Sequence, residues 1–421
     1  MQSSIKLRLT VMNFLQFAVW GAYLTSMGRY LGTAGFGSEI GNFYAMQGLV
    51  SLFMPALMGI VADRWIPAQR LLGVCHMLAG MLMLGVFNYT QTDAPSYPTL
   101  FALYSLSVAF YMPTLALSNS VAYTSLDQAG LDLVKSFPPI RVFGTVGFIC
   151  TMITVSLLGL EATSGQFAVS AIISLVLAVY TQTLPNCPTA PKGQSKSLVE
   201  ALGLRAFVLF KQRKMALFFI FSMLLGVSLQ ITNGFANPFI STFGEIPAYA
   251  DTFGVKYANI LISLSQLSET LCILLIPFAL RRFGIRRVML IAMVAWVLRF
   301  ALLGLGNPGS GVWLFLLSMI VYGVAFDFFN VSGSLFVDQE TDPSIRSSAQ
   351  GLFMIMTNGI GATLGSLGAQ AVINHFVYSE HDTTAILAGW SMSWYVFAAY
   401  AAVVAVLFAL LFRYNTATEA K

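Results

Sequence analysis

Almost the whole chain is a succession of apolar runs about as long as a bilayer is thick, and this repetition constrains it more than any motif. Crossing the hydrocarbon takes about 20 predominantly apolar residues in a helix, and runs of that length recur along all 421 residues. With no water to serve them, backbone amides and carbonyls in such runs must pair within the segment, which makes the runs helical. Charged residues are only 9% of the chain and hydrophobic ones 57%, with a mean hydropathy of +0.77. Ordinary soluble domains carry about 25% charged residues. The sequence therefore predicts an all-α, multi-pass membrane protein.

By length and hydropathy we expect twelve transmembrane helices. The first six are Leu9–Leu31, Ile40–Val61, Leu71–Phe87, Thr99–Val121, Pro138–Leu158 and Gln166–Leu184. The last six are Met215–Phe243, Tyr257–Leu280, Val288–Leu305, Val312–Phe336, Ala349–Phe376 and Gly389–Phe412. Between the sets lies the longest polar connection, LPNCPTAPKGQSKSLVEALGLRAFVLFKQRK. The expected organisation is a six-helix bundle over 1–185, a linker over 186–214 and a second six-helix bundle over 215–421. The linker opens with proline and polar residues and ends in an amphipathic stretch closed by Lys211, Arg213 and Lys214, expected along the cytosolic membrane surface.

Orientation follows from the basic residues. One set of alternate segments holds 18 of the 22 Lys and Arg, including Arg64, Arg70, Lys192, Lys196, Arg281, Arg282, Arg286, Arg287 and Lys421. The other set holds Arg29 and Lys256, with Arg141 and Arg299 left within or at the edge of spans. Positive loops stay inside, so both termini are expected in the cytosol. The net charge of +5 is spread over these loops and is no nucleic-acid footprint. Cys75, Cys150, Cys187 and Cys272 show no metal spacing. No cleavable signal peptide is apparent.

No catalytic signature competes. The chain has no phosphate-binding loop of the GxxxxGK type, no HExxH and no GxSxG. We expect no enzyme activity, no metal and no cofactor, and with no visible ATP site uphill work would need an ion gradient. His76 in its apolar span reads as a satisfied core group, and His375 and His381 are scattered near the outer end of span eleven.

The chemistry concentrates in YGVAFDFFNVSGS, Tyr322 to Ser334. A charge at the centre of a spanning helix costs about 2.5–3.5 kcal/mol on insertion scales, so an acid there marks a substrate or ion pathway by default. Tyr322, Phe326 and Asn330 recur every four residues and share a stripe beside Asp327. The bland alternative is that Asp327 pairs with a buried arginine. Span eight carries Gln266 and Glu269 on one face, and span seven carries Gln230 and Asn233. Span five places Arg141, Thr145 and Phe148 at intervals of four and three, and span one adds Asn13, Gln16, Trp20 and Tyr23. An amide in a membrane helix is often interhelical glue. Amides, acids and aromatic rings gathered together instead describe a polar cavity suited to a neutral, hydroxylated, ring-bearing solute.

Small residues and prolines add mechanical expectations. Gly361 and Gly365 form a GxxxG face, and Gly144 and Gly147 thin span five. Pro138 and Pro139 read as a helix start, and Pro113 and Pro277 as kinks.

The connection GIVADRWIPAQR, from Gly59 to Arg70, resembles the cytosolic signature of the major facilitator superfamily, in which glycine permits close helix approach. The matching PFALRRFGIRR keeps Gly284 and the basic cluster but lacks the acid. More specifically, FLQFAVWG, FPPIRVFGTVGFI, FFIFSMLLGVSLQITN, SQLSETL, MIVYGVAFDFFNVSGS and IRSSAQGLFMIMTNG resemble the nucleoside:proton symporter family, from the first span to the eleventh. That resemblance implies a nucleoside site lined by Arg141, Thr145, Phe148, Gln230, Asn233, Gln266, Glu269, Tyr322, Phe326 and Asp327. It further implies a small-molecule nucleoside and protons as partners of a carrier in the lipid bilayer of the cytoplasmic (inner) membrane, which we expect to be a monomer. The expected function is proton-coupled nucleoside import by alternating access. Hydroxyls would be held by the acids and amides, and the base would lie against Phe148, Phe326 and Tyr322. Because desolvation disfavours an ionised acid in general, Asp327 or Glu269 is the expected proton carrier, with Asp327 preferred. The alternatives are a proton-coupled sugar or drug carrier of the same superfamily, and, more remotely, a non-transporting sensor or membrane enzyme.

Overall fold

The structure, a computed structural model, describes residues 2–189 and 197–414. Lys192, Lys196 and Lys421 of the charge count lie outside the described residues. The described chain is helical throughout, without a strand, and ten of its segments are long and apolar enough to cross a membrane.

The helices depart from the predicted spans at identifiable residues. Span one is interrupted: five residues separate the end of α1 (Gln2–Gly21) from the start of α2 (Met27–Thr33). Span two divides into α3 (Ile40–Ser51) and α4 (Met54–Arg64), with Pro55 in the first turn of α4. Proline has no amide to offer the preceding turn and clashes with it, so the break falls just before it. α5 (Ala68–Tyr89), α6 (Tyr97–Gln128), α7 (Leu133–Leu157) and α8 (Gly165–Tyr180) follow. A short α9 (Leu198–Ala201) precedes a 3₁₀ segment over Leu204–Lys211. Span seven is α10 (Arg213–Leu229) and α11 (Ile231–Thr242), meeting at Gln230. After α12 (Pro247–Ala250) and α13 (Phe253–Lys256), predicted spans eight and nine run together as α14 (Ala258–Leu305). Gly284 interrupts α14 with φ 73° and ψ 164°, a conformation that side chains exclude and glycine adopts freely. α15 (Val312–Glu340) is span ten. Span eleven comprises α16 (Arg346–Met354), a π-helical turn over Ile355–Gly361 and α17 (Ala362–Ile373). α18 (Thr383–Leu411) closes the chain. Asp382 caps its start by accepting from the amides of Thr384 and Ala385 at 3.1 and 3.2 Å.

The expectation that Pro138 and Pro139 open a helix is corrected: both lie inside α7, which begins at Leu133. The interruption costs two amide bonds near the helix start, where the polar end tolerates the loss better than the bilayer centre would. Pro113 and Pro277 lie inside α6 and α14 as expected.

Met1–Phe36 and Leu49–Leu202 form one compact unit; Gly37–Gly48 and Gly203–Lys421 form a second. In the first, α1 and α7 touch backbone to backbone. A Cβ on Gly147 would lie 2.1 Å from the Phe14 carbonyl oxygen, and one on Gly21 2.4 Å from that of Phe148. Gly59 does not share this use: among the described residues nothing lies within 4 Å of a Cβ placed there. The close approach expected at Gly59 from the loop signature is therefore not made, because α4 stands clear of its neighbours at that point.

His76 is the satisfied core group that its apolar setting predicts. It is wholly buried, with Nδ1 3.0 Å from the Ser174 hydroxyl and Nε2 2.7 Å from Gln16 Oε1. Gln16 Nε2 then donates to the Thr114 hydroxyl at 2.7 Å, and the Tyr111 hydroxyl donates to the Gln16 carbonyl at 2.9 Å.

In the second unit the predicted GxxxG face works as such. Cβ atoms on Gly361 and Gly365 would meet the carbonyl oxygens of Met223 and Val227 at 2.4 and 2.0 Å, so span eleven lies directly on α10. Residues 37–48 also dock on span eleven: the Gly41 amide donates to Gln370 Oε1 at 2.5 Å, and Gln370 Nε2 donates to the Gly37 carbonyl at 3.0 Å. Along Leu204–Lys211, Ala206 and Leu209 are buried while Phe207 and Val208 are exposed, so the segment is two-faced as expected.

Candidate functional site

α15 presents Asp327 to the interior of the second unit because glycine precedes it by one turn. A Cβ on Gly323 would lie 2.5 Å from the Ser268 carbonyl oxygen of α14. With no side chain in the way, the two backbones approach until the Ser268 hydroxyl donates to the Ile320 carbonyl. Glu269 is the next residue on α14, and this contact brings its carboxyl within electrostatic reach of Asp327. Asp327 is 6% exposed, and its Oδ2 is buried with no hydrogen-bond partner among the described residues. Glu269 and Gln266 are both partly exposed, as expected of residues three apart on one helix face.

The stripe read from the sequence is a stacked pair. The Tyr322 and Phe326 rings lie 5.6 Å apart at 16°, with Trp296 edge-on to Tyr322 at 6.0 Å and 88°. Tyr322 is buried and Phe326 partly exposed, so the stack has a protected end and an accessible end. Gln230 stands at the joint between α10 and α11, where Asn233 Nδ2 donates to its Oε1 at 2.9 Å. A helix interrupted in the membrane leaves backbone groups without helical partners, a usual setting for a transporter site.

The first unit holds Arg141, Thr145 and Phe148 along α7. The Arg141 guanidinium lies over the Phe17 ring, 4.0 Å from its centroid, and Phe148 meets Trp20 edge-on at 6.4 Å and 87°. Gln230, Asn233, Gln266, Glu269, Tyr322, Phe326 and Asp327 belong to the second unit. Within it, Glu269, Tyr322, Phe326 and Asp327 form one electrostatic and aromatic cluster, and Gln230 and Asn233 form a bonded pair.

The bland reading of Asp327 as the partner of a buried arginine does not hold. Arg299 is 2% exposed, but it donates to the Ser318 carbonyl at 2.7 Å and sits over the Tyr322 ring at 4.5 Å. Neither Arg299 nor Trp296 stands out in the sequence as a site residue. The available signal for Arg299 is a cation inside an apolar run that no loop accounts for. No group of three or more His, Cys, Asp or Glu able to hold a metal occurs among the described residues. Chemically, the cluster offers acceptors for hydroxyl groups, a flat aromatic surface and two acids close enough to sense one another's charge.

The family described as Nucleoside H+ symporter matches residues 3–417. The xanthosine permease of Escherichia coli is 49% identical over 415 residues, 98% of this chain and 97% of that protein. The nucleoside permease NupG of Escherichia coli is 46% identical over the same shares of both chains. A crystal structure of the nucleoside transporter NupG superposes with a TM-score of 0.89 at 45% identity, covering 98% of this chain and 100% of that one. That match gives the chain the architecture of a major facilitator transporter, and the chain belongs to the nucleoside H+ symporter family.

Proposed function

We propose that this carrier imports nucleosides with protons across the cytoplasmic (inner) membrane through twelve spans. The spans form two six-helix bundles, 1–185 and 215–421, joined by the linker 186–214, and both termini lie in the cytosol. The 48-residue α14 supports the count, because its break at Gly284 falls between two segments that can each span. Within the second unit, nucleoside hydroxyls bind Glu269, Asp327, Gln230, Asn233 and Gln266, and the base stacks against Phe326 and Tyr322. In the first unit, Arg141, Thr145 and Phe148 of α7 are the proposed nucleoside contacts. No cofactor enters; a monomer runs on the proton gradient alone.

The observation that carries this reading is the Asp327 carboxyl oxygen, buried without a partner among the described residues and beside Glu269. A buried polar atom left unpaired is costly, and an acid is kept in such a place when a solute or a proton completes it. Two neighbouring acids cannot both ionise cheaply, so proton uptake by one favours occupancy of the other by a neutral hydroxylated solute. Release of that proton on the inner side then weakens the hold on the solute, and cycles of exposure to either side complete import.

The deciding experiment is uptake by purified protein in proteoliposomes, with and without an inside-alkaline pH step, across a panel of nucleosides, free bases and sugars. We expect concentrative nucleoside uptake only with the step. Sugar uptake with indifference to nucleosides would overturn the proposal.

A further inference from the structure

Arg299 is a strongly charged group in the buried interior of this cluster that the transport reading leaves without a task. It lies wholly buried within α14, where an arginine is expensive to keep. Its partners are not acids. One terminal nitrogen donates to the Ser318 carbonyl at 2.7 Å and approaches the Ser265 hydroxyl at 3.4 Å, while Nε is buried without a partner among the described residues. Its guanidinium carbon stands 4.5 Å from the centroid of the Tyr322 ring. Tyr322 in turn stacks on Phe326.

A simple helix staple would not need a guanidinium. Ser318 already returns a bond, its hydroxyl donating to the Arg299 carbonyl at 3.0 Å, so α14 and α15 are tied here by groups other than the charge. What the cation adds is attraction to a ring face, which is strongest where water is excluded. Trp296, one turn earlier on α14, closes on the same ring edge-on. Tyr322 is thereby held by a cation and an indole, and the accessible ring, Phe326, rests on it.

We infer that Arg299 is a positioning residue for substrate: its guanidinium fixes the Tyr322 ring and so presets the Phe326 face against which the nucleobase stacks. A preset face spares the carrier the ordering cost of assembling one at each encounter, and that saving appears as affinity. The inference rests on the reading of Tyr322 and Phe326 as substrate-facing residues.

The test is equilibrium binding of a labelled nucleoside to purified protein in detergent, in a double-mutant cycle with thermal stability measured alongside. Arg299→Gln, which keeps a donor for Ser318 but loses the charge, is expected to weaken binding about tenfold, equivalent to about 1.4 kcal/mol. Tyr322→Leu should lose a similar factor, and the double variant should bind no worse than Tyr322→Leu alone, because the two act through one surface. Arg299→Lys, which keeps the charge without the planar fork, should lose only a few-fold. It also keeps the test open should the glutamine variant fail to fold. Native affinity in Arg299→Gln, or losses that multiply in the double variant, would overturn the inference even with Tyr322→Leu impaired. If Tyr322→Leu itself binds normally, the substrate-facing reading of Tyr322 fails, and the positioning role fails with it.

Discussion

The carbonyl oxygen of Ser268 occupies the space where a Cβ on Gly323 would have to go, at 2.5 Å. A backbone oxygen has no flexible end that can yield, so even one methyl group must push α14 and α15 apart. Overpacking of this kind costs about 1–3 kcal/mol. The Glu269–Asp327 proximity depends on the same contact, so Gly323→Ala should lower both the thermal midpoint and the nucleoside affinity. Unchanged melting and binding in detergent would show that the helices yield freely there.

Asp327→Asn keeps the shape of the side chain and removes its ability to ionise. Wild-type uptake should rise as the outside is acidified relative to the inside, since more carriers then load a proton at the outer face. In the variant this response should vanish and accumulation should cease, while exchange of nucleoside across a membrane without a gradient continues at reduced affinity. Intact concentrative uptake in proteoliposomes would remove Asp327 from the proton pathway.

In the proposed transport cycle Glu269 serves mainly to bind substrate. A hydrogen bond to a charged group contributes about 1.5–3 kcal/mol, so Glu269→Gln should weaken nucleoside binding by about one to two orders of magnitude. Isothermal titration of the purified variant measures this directly. A dissociation constant equal to wild type would leave the hydroxyl-binding role to the amides.

The membrane class and the candidate acid are legible in the sequence for a plain reason: apolar runs and an acid among them are properties of single segments. Asp327, Glu269 and the Tyr322–Phe326 stripe could be read because helical spacing alone places them. Contacts between distant segments were harder to see. Nothing local to Arg299 announces that its partner is the Tyr322 ring rather than a carboxylate, and nothing local to Gly59 shows that its space goes unused. Helix breaks were half visible. Pro55 marks the end of α3 by its missing amide, whereas no proline or other local signal announces the interruption after Gly21. Pro138 and Pro139 misled because proline in a helix start and proline just inside one look alike until the first turn is placed.

Two glycines of the second unit should respond in opposite directions to the same substitution. Gly284 holds φ 73° and ψ 164° at the break in α14, where a side chain is strained by about 1–3 kcal/mol. Gly351 lies inside α16, and among the described residues nothing comes within 4 Å of where a methyl group would sit, so alanine there meets no neighbour. In a helix interior alanine is favoured over glycine by about 0.5–1 kcal/mol. Gly284→Ala should therefore lower the thermal midpoint of the purified carrier, and Gly351→Ala should raise it slightly. Because the proposed twelve-span arrangement has α14 turn at Gly284 between two spans, the first variant should also lose transport in proteoliposomes, while the second keeps it. Equal melting and equal uptake in both would mean that the break is tolerated by any residue and that glycine was not selected for its backbone there.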